Sequence, residues 1–149
     1  MLSKVQIRFK NQLLEAAIVK VKLKGGEEEF KILREALDLV RDLPFAGEDF
    51  VWADTEGITS NIVLTIITGA LMLSDFYMSK QDLEGVFWAT GKGLKALRGH
   101  EALISLRMQA HAQERNISGI NSEWLAYERL RIAEDQFLDR ESNEIAKLR

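Results

Sequence analysis

The chain has 149 residues, enough for one domain of ordinary size and too few for two. Hydrophobic residues make up 46%, too many for a disordered chain, and charged residues 29%, too many for a polytopic membrane protein, so a soluble globular domain is expected. There is no cysteine, which excludes disulfides, thiolate catalysis, Cys-ligated zinc and iron-sulfur clusters, and a cytoplasmic setting follows as the expectation. Lys4, Arg8 and Lys10 also interrupt the N-terminal stretch where a secretory signal needs an unbroken apolar run.

The net charge of −3 is unevenly spread. Six basic groups against one acid give residues 1–24 a net +5, and ten acids against three bases give residues 25–60 a net −7. Residues 91–115 return to +3. Such alternation lets neighbouring segments neutralise each other or steer different partners.

Ser3 and Gln6 fit a capping box, with Leu2 and Ile7 as its hydrophobic staple, and so open a helix near Lys4. Its apolar residues, among them Val5, Phe9, Leu13, Ala17 and Val21, cover most of the helical wheel, which suggests burial among several neighbours. Val5, Ile7 and Phe9 also alternate with charge, so a short N-terminal β element is the alternative for residues 4–24. Gly25 and Gly26 end the element in either case. Glu27, Glu28 and Glu29 then suit the positive end of a helix dipole, and Phe30, Leu33, Leu37 and Val40 form one apolar stripe, ending before Pro44.

Residues 44–57 lack a helical period and hold Phe45, Phe50 and Trp52, aromatic rings expected to tuck onto the core or await a partner. From Gly57 to Ser74 no residue is charged. Thr59, Ser60, Asn61, Thr65, Thr68 and Gly69 argue against a membrane span, and the reading adopted is a central helix at about 60–78, apolar nearly all round because other helices surround it. Small residues at Gly69 and Ala70 would let a neighbouring backbone come close. Ser79 and Asp82 resemble a second capping box for a helix over 80–90, which the Thr90–Gly93 glycines break. A further helix runs from about Leu94 to Arg115, residues 117–119 act as a stop, and Ser122 caps a long C-terminal helix over about 122–149. It carries Trp124, Leu125, Tyr127, Leu130, Phe137 and Leu138, and its stripe thins afterwards, so a protruding or fraying tail is the expectation. The fold class expected is therefore mainly α: a compact, single-domain bundle of five or six helices around a hydrophobic central helix.

The chemistry-bearing residues are sparse. His100 and His111 are the only histidines, and a helical diiron site needs two Glu-x-x-His motifs that do not occur, so neither metal nor cofactor is expected. Ser-His-Asp catalysis lacks a nucleophile elbow, and Gly91, Lys92 and Gly93 fall short of a phosphate-binding loop. No catalytic residue is assigned and the chain is read as a non-enzyme. The function expected is an interaction module, a small subunit, adaptor or inhibitor in a larger assembly, whose partner is another protein or a second copy of the chain. Trp52, Trp124, Tyr127 and Arg131 are the candidate contact residues, because interfaces are enriched in such side chains. The alternative is a nucleic-acid-binding helix-turn-helix with its turn at the glycines and Lys92, Lys95 and Arg98 on the phosphates.

Overall fold

A computed structural model describes residues 4–40 and 58–147, which form six helices and no strand. They are α1 (Lys4–Leu23), α2 (Glu27–Leu39), α3 (Ile58–Ser79), α4 (Leu83–Ala96), α5 (Glu101–Gln113) and α6 (Ile117–Lys147). Residues 4–23 are thus helical, not β. The aromatic segment with Trp52, and Ser3 of the first capping box, lie outside the described residues.

The uncharged segment is the hub: α3 packs on α1, α2, α4 and α5. Ile66, Ala70 and Leu73 of α3 are fully buried with Leu14 of α1, Leu33 and Leu37 of α2, Ala89 of α4 and Leu103 of α5. Polar residues survive at this depth because the helix itself satisfies them. The buried Thr65 and Ser74 hydroxyls donate to the carbonyls of Asn61 (2.8 Å) and Ala70 (2.6 Å), one turn back. By length and composition Ser60–Ser79 could cross a membrane, yet 44% of its most apolar window is buried against the other helices.

Helix α1 does not bury the broad face its sequence offers. Ile7, Asn11, Leu14, Ala17, Ile18 and Val21 face inward, while Val5, Phe9, Val19 and Leu23 stay exposed, because α1 packs on α2 and α3 alone among its larger contacts. Gly69 is likewise met by the side chains of Leu14, Leu33 and Ile18 and not by a neighbouring backbone.

Three boundaries differ from the expected ones, for a common reason. Helix α4 continues through Thr90–Gly93 to Ala96, so the predicted turn at the glycines does not exist. Gly93 is a packing residue: a Cβ there would lie 2.5 Å from Leu103 Cδ1 and 3.0 Å from Ala70 Cβ, and its absence lets α3, α4 and α5 converge. Two of the turns form where no glycine stands. Gln81 (φ 58°) ends α3 and Arg115 (φ 58°) follows α5, each in the left-handed region, with Asp82 N–H donating to Tyr77 O (2.9 Å) and Asn116 N–H to His111 O (2.8 Å). These bonds close Schellman-type ends that glycine usually makes. Caps move accordingly. Asp82, not Ser79, accepts from Gly85 N–H to start α4, and Ser79 bonds back to Phe76 O. Asn116, not Ser122, accepts from Gly119 N–H to start α6, so residues 117–119 begin a helix instead of stopping one. Helix α2 ends at Leu39, with Val40 as its C-cap.

At the α3–α4 connection the Tyr77 ring lies flat against Gly85, where a Cβ would stand 2.6–2.8 Å from three ring carbons. The ring cannot swing away freely, since Arg34 Nη1 donates to its hydroxyl at 2.8 Å. Gly85→Ala should therefore destabilise the fold by about 1–2 kcal/mol in chemical denaturation, although alanine is favoured by about 1 kcal/mol inside a helix.

Candidate interaction surface

Helix α6 folds back along α5 and packs chiefly on it. The clamp between them is Arg107, in mid-α5. Its Nε donates to Glu123 Oε1 of α6 at 2.8 Å, and its Nη1 donates to Phe87 O (3.1 Å) and Thr90 Oγ1 (3.2 Å) of α4. The guanidinium also lies 5.2 Å from the centre of the Phe87 ring. His111, a turn further on, packs against the Phe87 ring in a tilted arrangement with centroids 4.6 Å apart, and its Nε2 lies 3.3 Å from the same Glu123 oxygen. One carboxylate thus draws two side chains of α5 toward α6. Charge-assisted, forked hydrogen bonds of this kind are strong where they are shielded, as here, with about four-fifths of the Arg107 and Glu123 side chains covered.

Beside this clamp, α5 and α6 leave an open groove of about 540 Å³. Ile104 and Met108 of α5 and Trp124, Tyr127 and Arg131 of α6 line it, with Glu101 at one end. The Trp124 and Tyr127 rings lie 5.8 Å apart on its wall, and Trp124 is 49% exposed. The Tyr127 hydroxyl donates a short hydrogen bond to Glu101 Oε1. That anionic acceptor raises the phenol above its usual pKa of 10.0, with minor help from burial, because ionised tyrosine would give up its proton donor and face a carboxylate.

The groove continues into an overhang. Helix α5 has 13 residues and α6 has 31, so at about 1.5 Å per residue α6 outruns its support by roughly 27 Å. From Arg131 onward every α6 side chain described is exposed, including Ile132, Phe137 and Leu138 at 50–60%. Helix α6 thus extends beyond α5 with apolar residues exposed on it.

Three of the four predicted contact residues, Trp124, Tyr127 and Arg131, come together on this one wall. The basic set does not assemble in the same way. Lys92 lies on α4 with its side chain only 13% exposed, 3.4 Å from Asp38 of α2 and 5.3 Å from the Trp88 ring. Arg34 covers that ring at 4.2 Å, so Lys92 belongs to a structural α2–α4 contact. Lys95 and Arg98 are exposed at the end of α4 and in the following turn, and neither stands on a second helix. His100 caps α5, its Nδ1 accepting from Leu103 N–H at 3.4 Å. Among the described residues no three acids or histidines are grouped to hold a metal ion. Arg107, Glu123 and Glu101 had no motif to mark them, since their contacts join residues 16–26 apart. Comparison of the chain with protein-family models, with curated proteins and with solved structures finds no match.

Two measurements test this geometry. Arg107→Lys should cost about 1–3 kcal/mol of stability, because an ammonium cannot reproduce the fork that reaches α4 and α6 together. In an NMR titration of ¹³C-labelled tyrosine, Tyr127 should ionise above the ordinary range near pH 10, and Glu101→Gln should bring it back down. An unchanged Tyr127 titration in that variant would contradict the assignment.

Proposed function

We propose that this protein is a non-enzymatic interaction module that engages another macromolecule through the α5–α6 groove and the projecting half of α6. The carrying observation is the overhang: a helix held firmly along its first half extends exposed Phe137 and Leu138 beyond the body. Leaving such side chains in water forgoes about 1.5–3 kcal/mol each, which a partner covering them would recover. Trp124 and Tyr127 supply rigid amphipathic area beside it, and Arg131 a charged anchor, the residue types that dominate binding energy at interfaces. The groove is open yet built on a clamped helix pair, so a partner would meet a surface that needs little ordering. Roles as a subunit, adaptor or inhibitor share this mode of action, and a cytoplasmic setting suits a cysteine-free chain.

The test is affinity capture with the intact chain from its native host, compared with Trp124→Ala/Tyr127→Ala. A stoichiometric protein, which includes the untagged chain itself, should be recovered by the wild type and reduced at least tenfold by the double substitution. Equal recovery on both baits would remove the groove from the reading.

A further inference from the structure

Resting on that reading, we propose that the occupant of the groove is a second copy of this chain, its α6 laid antiparallel along the first about a two-fold axis near residues 132 and 133. The argument begins with spacing. Trp124, Tyr127, Arg131, Glu134 and Leu138 follow one another at intervals of three, four, three and four residues, the a and d positions of a coiled-coil seam. The first three of these line the groove wall, so the seam runs along the groove and out onto the overhang.

Two such seams placed antiparallel are complementary in one register. Tyr127 meets Leu138 of the partner subunit, and Arg131 meets Glu134 of the partner subunit. The two-fold axis repeats both pairs in reverse, as an isologous interface requires. Leu130 and Phe137 of the partner subunit fall together on the flank nearer α5, extending the apolar contact toward Ile104 and Met108. A parallel pair would instead set Arg131 against Arg131 and Glu134 against Glu134, the like-charge arrangement that disfavours a wrong partner. Glu128 and Asp135 come to the outer flank, where their like charge is screened by solvent.

The axis also falls at the middle of α6, so the helices overlap along nearly their whole length of ~46 Å. Each overhang then rests in the groove of the other protomer. A strip about 46 Å by 10 Å amounts to roughly 460 Å² per partner, a little over half of the ~800 Å² that specific interfaces bury, and the edge of α5 adds to it.

Light scattering on the intact chain at 1–100 µM tests the pairing: two chains of 17.0 kDa should give a dimer of about 34 kDa. Arg131→Glu and Glu134→Arg should each weaken the dimer at least tenfold, with helical content unchanged in circular dichroism. Arg131→Glu combined with Glu134→Arg should restore it, because both cross-pairs are rebuilt with their signs exchanged. Since the chain has no cysteine, orientation can be read from disulfide capture. Tyr127→Cys with Leu138→Cys should give a covalent dimer. Leu138→Cys alone should not, its two thiols standing eleven positions from register, about 16 Å and far outside disulfide reach. A wild-type chain that stays monomeric to 100 µM overturns the pairing, as do a dimer indifferent to charge reversal and cross-linking by Leu138→Cys alone. A monomer that still captures a different protein in a Trp124-dependent way overturns the pairing while leaving the interaction module intact; a monomer that captures nothing removes both.

Discussion

Arg107 stands on α5 and is bonded to two other helices at once, and the surface described above exists because of it. Its guanidinium takes Glu123 from α6 and a carbonyl and a hydroxyl from α4, so the most peripheral helix is tied through α5 to a helix that packs on the hub. A planar fork suits this task, since its donors diverge in fixed directions and need no reordering to reach separate acceptors. With α6 held in this way along its first half, the second half projects as a continuation of a stiff rod. An unclamped helix of this composition would fray at the same place, and its exposed apolar residues would present no defined surface.

The inner half of the molecule follows another constraint. Helix α3 must be surrounded because it is apolar on nearly every side, and α1, α2, α4 and α5 do so at short range where side chains are small. Gly93 and Ala70 bring α4 to α3 and admit Leu103 from α5, and Gly85 admits the flat ring of Tyr77. That ring is held in turn by Arg34, which also covers Trp88, so one cation from α2 and one from α4, Arg34 and Lys92, lie against the Trp88 ring. The basic segment at 91–100 therefore contributes to internal cohesion through Lys92, while Lys95 and Arg98 remain on the surface.

The two halves have complementary characters. Around α3 the inward apolar side chains are covered by the chain itself, with hydroxyls turned back on their own helix, while Leu64 stays exposed. Along α6 the reverse holds: polar clamping on one side, exposed aromatic and aliphatic groups on the other. The molecule thus combines a packed body with a projecting helix segment whose apolar side chains are exposed. The proposed two-fold pairing would use that segment without disturbing the core, which fits the seam's placement beside the Arg107 clamp and away from α3.

Composition and periodicity alone determined the all-α class, the central position of the uncharged segment, the long C-terminal helix and three of the residues on the groove wall. Each of these is a local property: a stripe at 3.6-residue spacing, a run without charge, or a residue type common at interfaces can be read one helix at a time. Only the tertiary structure decided where the chain turns and which side chains meet. Gln81 and Arg115 adopt the left-handed conformation that glycine usually marks, while Gly85 and Gly93 lie within a helix because neighbours press against them. A glycine required by packing and a glycine required by a turn look identical in a sequence. The Arg107–Glu123 clamp and the Glu101–Tyr127 bond were hidden for the same reason, since they join residues from different helices whose relative placement follows from how the core closes.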